Sequence, residues 1–211
     1  MEKFLKAATI AWNPIGEVRR RMGLRSLTVG SVLTPYILIV IACNLFLVEA
    51  EKFFLETVFA AVRYDLPEHA LTKSQFALRL MSAILVLLPA VAVSLLPSRV
   101  FHPASRTETV AAMLIVVSAW AFYGAAIGVP VYFLAGTLAT VNPELGLNTV
   151  LVLSFPMTIA VVGLTLFFWF RIMLSVLGLS GISVIAITLT ALITGSLVVA
   201  FFVFVILASA S

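Results

Sequence analysis

Charge, histidine and cysteine are what this chain has least of. Of 211 residues only 10% are charged, two are histidine and one is cysteine. The lone Cys43 excludes an intrachain disulfide and any cysteine-based metal site. His69 and His102 fall in links expected on opposite sides of a membrane, so they do not meet as a two-histidine metal site. The chain also contains no H-E-x-x-H, no G-x-x-x-x-G-K-[ST] and no G-x-S-x-G. No run of acidic residues balances the basic ones, and the net charge is +4. That excess lies beside apolar runs, where it answers to anionic lipid head groups rather than to nucleic acid. These absences point to a protein that is not an enzyme and that needs no metal or cofactor.

What is present is hydrophobic. Residues of that class make up 63% of the chain, more than a water-soluble fold of this length can bury. A bilayer core of about 30 Å takes about 20 apolar residues per helix. Five segments meet that length, at 27–48, 74–96, 109–134, 148–170 and 182–208. The expected fold is therefore all-α, a polytopic bundle of five transmembrane helices (27–211) behind a basic amphipathic arm (1–26). The first run starts too late and is too long for a cleaved secretory signal.

Orientation follows from the basic residues. With the N-terminus inside, Lys3, Lys6, Arg19, Arg20, Arg21, Arg25, Arg99, Arg106 and Arg171 face the cytoplasm. Only Lys52, Arg63, Lys73 and Arg79 face outward, so the positive-inside rule favours a cytoplasmic N-terminus and an outward C-terminus.

Two short interfacial helices are expected outside the spans. Asn13-Pro14 reads as a helix start, with Ile15, Val18 and Met22 on one face and Gly23 as the stop. Arg19, Arg20, Arg21 and Arg25 would then contact anionic lipid, and the same residues also serve as a topology anchor. Beyond the first span, Glu49, Lys52, Glu56 and Arg63 share one helical face opposite Phe54, Leu55, Val58 and Val62. That predicts a second interfacial helix over 49–66, broken at Leu66-Pro67.

Inside the spans the candidate features are small or weakly polar. Gly124 and Gly128 form a small-xxx-small pair, and Ala191 and Gly195 repeat it in the last span. These four residues form the expected helix-packing interface. Asn44 is placed to bond a neighbouring helix. Ser118, Tyr123, Thr137, Asn148, Ser154, Thr158 and Thr165 offer weak polar contacts to a neutral solute. Ionisable groups avoid the midplane: Glu49 ends the first span, Arg79 lies a turn into the second, and Arg171 ends the fourth beside Trp169. Pumps and charged-ring channels lack their required groups here.

Together these parts resemble the Yip family of five-span membrane proteins, partners of Ypt/Rab GTPases in eukaryotes. The resemblance rests on Asn13-Pro14 and the basic helix after it, and on a third span running Ala111-Ala112, Ser118-Ala119-Trp120 and Pro130. Arg171 followed by Leu177-Gly178-Leu179 before the last span adds to it. No Thr-Trp pair follows Asn13-Pro14, and the long cytoplasmic extension of eukaryotic members is missing, so the GTPase role is not carried over. The resemblance implies a bacterial-type member in the inner membrane, a scaffold or accessory subunit with a protein partner or a second copy. The alternative is a transporter or channel for a small neutral or lipophilic solute or lipid.

Overall fold

The computed structural model describes residues 2–61 and 87–210, and among them every regular element is a helix. They are α1 (Glu2–Trp12), α2 (Pro14–Gly23), α3 (Val29–Ala61), α4 (Leu87–Ser94), α5 (Arg106–Ala139), α6 (Pro143–Phe170) and α7 (Gly181–Ala210). A 3₁₀ turn (Ser98–Phe101) follows α4, and a π-helical segment (Arg171–Val176) extends α6. Three helices are long and apolar enough to cross a membrane, spanning Val29–Ala60, Arg106–Ala139 and Pro143–Val176. They mark the chain as an integral membrane protein. Most of the expected second span lies outside the described residues, as do the break at Leu66-Pro67, His69 and Arg79. The end of that span is present as α4.

Each long helix starts at a polar cap. The Thr28 hydroxyl accepts from the Ser31 N–H at 3.3 Å, and the Ser31 hydroxyl accepts from the Thr28 N–H at 3.3 Å. Ser105 and Glu108 close a reciprocal capping box on α5, with Glu108 Oε2 accepting from the Ser105 N–H at 2.7 Å. That box puts the helix start at Arg106, slightly ahead of the expected 109. Asn142 accepts from the Glu144 N–H at 2.9 Å with Pro143 as the first helical residue. The Asn-Pro-Glu signature therefore starts α6 before the expected 148.

The second interfacial helix is not a separate element as far as Ala61. It is the far end of α3, which runs unbroken for 33 residues. No glycine, proline or cap interrupts 49–61, and Ala50, Glu51, Lys52 and Glu56 are strong helix formers. Packing reinforces the continuity, since Phe54 and Val58 are buried against Ala135 and Ala139 of α5.

The tightest core lies at the basic end. Val18 of α2, Val32 and Tyr36 of α3, Phe101, residues 110–116 of α5, Ile172, Met173, Leu177, Leu179, Val184 and Ile187 all pack there. Arg106 donates to the Leu96 carbonyl at 2.9 Å and stands over the Phe101 ring at 5.7 Å, fixing the loop after α4. The π segment ends with the Leu177 N–H bonded to the Ile172 carbonyl at 2.9 Å. Buried Trp169 donates to Thr188 Oγ1 at 2.8 Å, tying α6 to α7.

The arm is only half a surface element. Its first part, α1, packs along α3 and α5, with Ala7 and Ala11 buried against Ile39, Cys43 and Ala125. Ile39 and Cys43 stand about 15 and 21 Å along α3 from Val29, at 1.5 Å per residue. The small Ala7–Ala11 stripe allows this close approach. The last carbonyl of α1, at Trp12, accepts from the Tyr123 hydroxyl at 2.7 Å, and the Trp12 ring meets Phe122 and Tyr123.

Two glycines make the α3–α5 and α5–α6 crossings possible. A Cβ on Gly136 would meet the Phe53 ring at 2.5 Å. One on Gly146 would stand 2.6 Å from Ala139 Cβ and 2.7 Å from the Ala135 carbonyl oxygen. Helix backbone cannot yield as a side-chain tip does. Gly146→Ala should therefore destabilise the bundle by roughly 1–3 kcal/mol. Gly124→Ala, where an added Cβ meets nothing within 4 Å, should be neutral or gain up to about 1 kcal/mol from helix propensity. Thermal unfolding in one detergent compares the two, and equal midpoints would contradict the packing described.

Candidate functional site

A half-open groove runs between α3, α5 and α6, with a volume of about 450 Å³. Its α3 wall carries Tyr36, Val40, Cys43, Asn44 and Leu47. The α5 wall includes Trp120, Gly124, Gly128 and Tyr132, and the α6 wall includes Val150, Ser154, Thr158 and Val161. Such a volume lies inside the range of about 300–1,000 Å³ typical of small-molecule sites. Among the described residues, no Asp, Glu, Lys, Arg or His lines it.

Three polar side chains of the groove, Asn44, Ser154 and Thr158, bond back to their own helices. Asn44 Nδ2 donates to the Val40 carbonyl at 2.8 Å, rather than to a neighbouring helix as expected. Thr158 Oγ1 donates to the Ser154 carbonyl at 2.8 Å, and Ser154 Oγ to the Leu151 carbonyl at 3.3 Å. Of the weak polar residues singled out in the sequence, only Ser154 and Thr158 line this groove. Ser118 is buried and bonded to Leu114, Thr137 and Thr165 bond back along their own helices, and Tyr123 secures α1.

The small-residue pairs do not face each other. At Gly128 the atom an added Cβ would meet is Leu47 Cδ1 of α3, at 2.8 Å, and at Gly195 it is Pro89 Cγ of α4, at 3.9 Å. Gly124 and Gly128 thus form part of the groove wall, while Ala191 packs on the edge of the basic-end core. Gly128 thus admits Leu47 of α3, while the approaches that reach a neighbouring helix's backbone belong to Gly136 and Gly146. Sequence spacing favoured the first pair because both are glycine four apart, whereas the Ala135/Ala139 surface that receives Gly146 looks like ordinary alanine.

A second feature sits at the basic end. Glu17 accepts from Arg20 Nε at 2.9 Å and Nη2 at 2.7 Å, and from Arg21 Nε at 2.6 Å. Arg21 then reaches across to α3, donating through Nη1 to the Ser31 hydroxyl at 2.9 Å and the Ser31 carbonyl at 3.2 Å. Its side chain is 12% exposed against 57% for Arg20. Arg19, Arg20 and Arg25 are exposed, while Arg21 is engaged in a clamp between α2 and α3. Beside the clamp lies a shallow groove whose walls include Thr9, Thr34, Pro35 and Leu38.

Among the described residues, no three His, Cys, Asp or Glu side chains group in a way that could hold a metal ion. No family model, curated protein or solved structure matches the chain.

The clamp carries a pH dependence. Burial raises the Glu17 pKa, but the hydrogen bonds and charges of Arg20 and Arg21 outweigh it and hold the carboxyl below its ordinary 4.5. A depressed folded pKa gives stability that is present above the ordinary value and lost as pH falls through the folded one. Protection of the 14–23 amides from exchange, relative to a free chain at the same pH, should therefore fall on acidification below 4.5, and in Glu17→Gln it should be low already at neutral pH. Arg21→Gln should loosen α2 by roughly 1.5–3 kcal/mol, the cost of charged hydrogen bonds, and Arg19→Gln should leave it unchanged. Equal exchange in the two arginine variants would contradict the clamp.

Proposed function

We propose that this chain is a non-catalytic scaffold or accessory subunit of a larger assembly in the membrane. The observation that carries this reading is the bareness of α6. In the most apolar stretch of the α6 span 6% of residues are buried, against 33% for α3 and 44% for α5. Pro156, Ala160 and Gly163 are exposed on it, and a Cβ at Gly163 would meet nothing within 4 Å. In lipid, helices associate through close packing at small residues, because hydrocarbon gives no hydrophobic drive. A span with so little packing of its own, and small residues uncovered, suits a partner helix.

The reading includes five spans with a cytoplasmic N-terminus, in a bacterial inner membrane. The 30 residues of α7 and the distribution of Lys and Arg support that topology. The resemblance to the Yip family points the same way, toward a protein that acts through partners.

Photo-crosslinking tests the reading. A benzophenone side chain placed at Ala160 or Gly163 should capture one defined protein in native membranes. The same probe at Phe46, on the outward face of α3, should capture lipid. Lipid adducts alone at all three positions would end the proposal.

A further inference from the structure

The groove between α3, α5 and α6 is a slot in shape. Its α5 wall runs from Val117 to Tyr132 and its α6 wall from Val150 to Val162. At 1.5 Å per residue these are about 22 and 18 Å. That is more than half the roughly 30 Å thickness of a bilayer core, along helices that cross it. An elongated void of this kind suits a chain rather than a compact solute.

The lining selects the chemistry of that chain. With no charged side chain among the described residues of its walls, the slot offers no counter-charge to a phosphate, carboxylate or ammonium. Its hydrogen-bonding side chains include Tyr36 and Asn44 on the α3 wall, Trp120 and Tyr132 on the α5 wall, and Ser154 and Thr158 on the α6 wall. The hydroxyl protons of Ser154 and Thr158 are spent on their own helix carbonyls, which leaves their oxygens as acceptors. One N–H of Asn44 is used in the same way, leaving one donor and one acceptor. The walls therefore carry both donors and acceptors, and a hydroxyl, which is both, complements them better than a carbonyl, which only accepts. Water is scarce at this depth, so a hydroxyl-bearing ligand would also satisfy groups that hydrocarbon cannot.

We propose that this slot binds a neutral single-chain lipid alcohol, its hydroxyl against Asn44, Ser154 and Thr158 and its chain along α5. Gly124 keeps the slot open, because a side chain there would project into empty space. This inference does not rest on the scaffold reading, since it concerns the interior of the slot rather than the outward face of α6.

The test uses the full chain in phosphatidylcholine nanodiscs with diazirine-labelled hexadecanol as probe. Adducts should map to the α3 and α6 peptides that hold Asn44, Ser154 and Thr158, and unlabelled hexadecanol should compete where palmitate does not. Gly124→Leu should lower that labelling roughly tenfold, equivalent to about 1.4 kcal/mol. Thr158→Val keeps the side-chain shape and removes the hydroxyl, so it should weaken labelling in a bundle of unchanged thermal midpoint. Even labelling over Leu151 and Phe155 would overturn the proposal. So would equal labelling of wild type, Gly124→Leu and Thr158→Val, or crosslinks between two copies of the chain through the slot.

Discussion

Backbone hydrogen bonding in a medium without water is the constraint on which the rest of this structure depends. Hydrocarbon cannot pair an orphan N–H or C=O, so the chain crosses as helices and turns only where polar partners are at hand. Thr28 with Ser31, Ser105 with Glu108, and Asn142 with Pro143 all cap helices next to charged or polar stretches. Where a helix ends against other helices, a side chain takes over the task. Tyr123 does this for the last carbonyl of α1. The same rule turns Ser118, Thr137, Ser154, Thr158 and Thr165 inward onto their own carbonyls, which makes them compatible with apolar surroundings.

With backbone pairing satisfied inside each helix, cohesion between helices has to come from shape. It is unevenly distributed. The basic end holds a dense core fed by α2, the π segment and α7, together with the Trp169–Thr188 bond. Toward the other end, Gly136 and Gly146 bring α3 and α6 hard against α5. Between those two regions α6 leaves α3 and α5, and the slot opens. A bundle gripped at both ends and parted in the middle holds such a void without collapse, because filling it would mean giving up one of the grips.

The sequence made the class of fold legible, since length and hydropathy need no knowledge of tertiary contacts. Asn13-Pro14 was equally plain: a cap followed by a residue lacking the N–H that helix starts leave unpaired. The boundary at Val48 was not. Charged residues at 49, 52, 56 and 63 suggest that the span stops, but hydropathy reports where lipid stops, not where the helix does. Nor could the roles of the arginines be told apart by charge alone. Arg19 and Arg21 look alike in sequence, yet Arg21 faces Ser31, which becomes a neighbour only after the turn through Leu24 and Arg25 folds α2 back beside α3. The slot was the least legible feature, because a void is defined by three helices at once and by the side chain that Gly124 does not have.

The placement of charge ties these features together. Among the described residues the ion pairs lie toward helix ends, where Glu17 holds two arginines at modest desolvation cost. Within the slot the strongest group is a primary amide. A charged ligand would have to shed its hydration with nothing in the walls to replace it, so the slot rejects lipid head groups by the same physics that keeps ionisable residues out of the midplane. Its selectivity would then rest on length and on a few neutral hydrogen-bonding groups. Those are weak discriminators in water, but they count for more in hydrocarbon, where an unpaired polar group has no other partner to find.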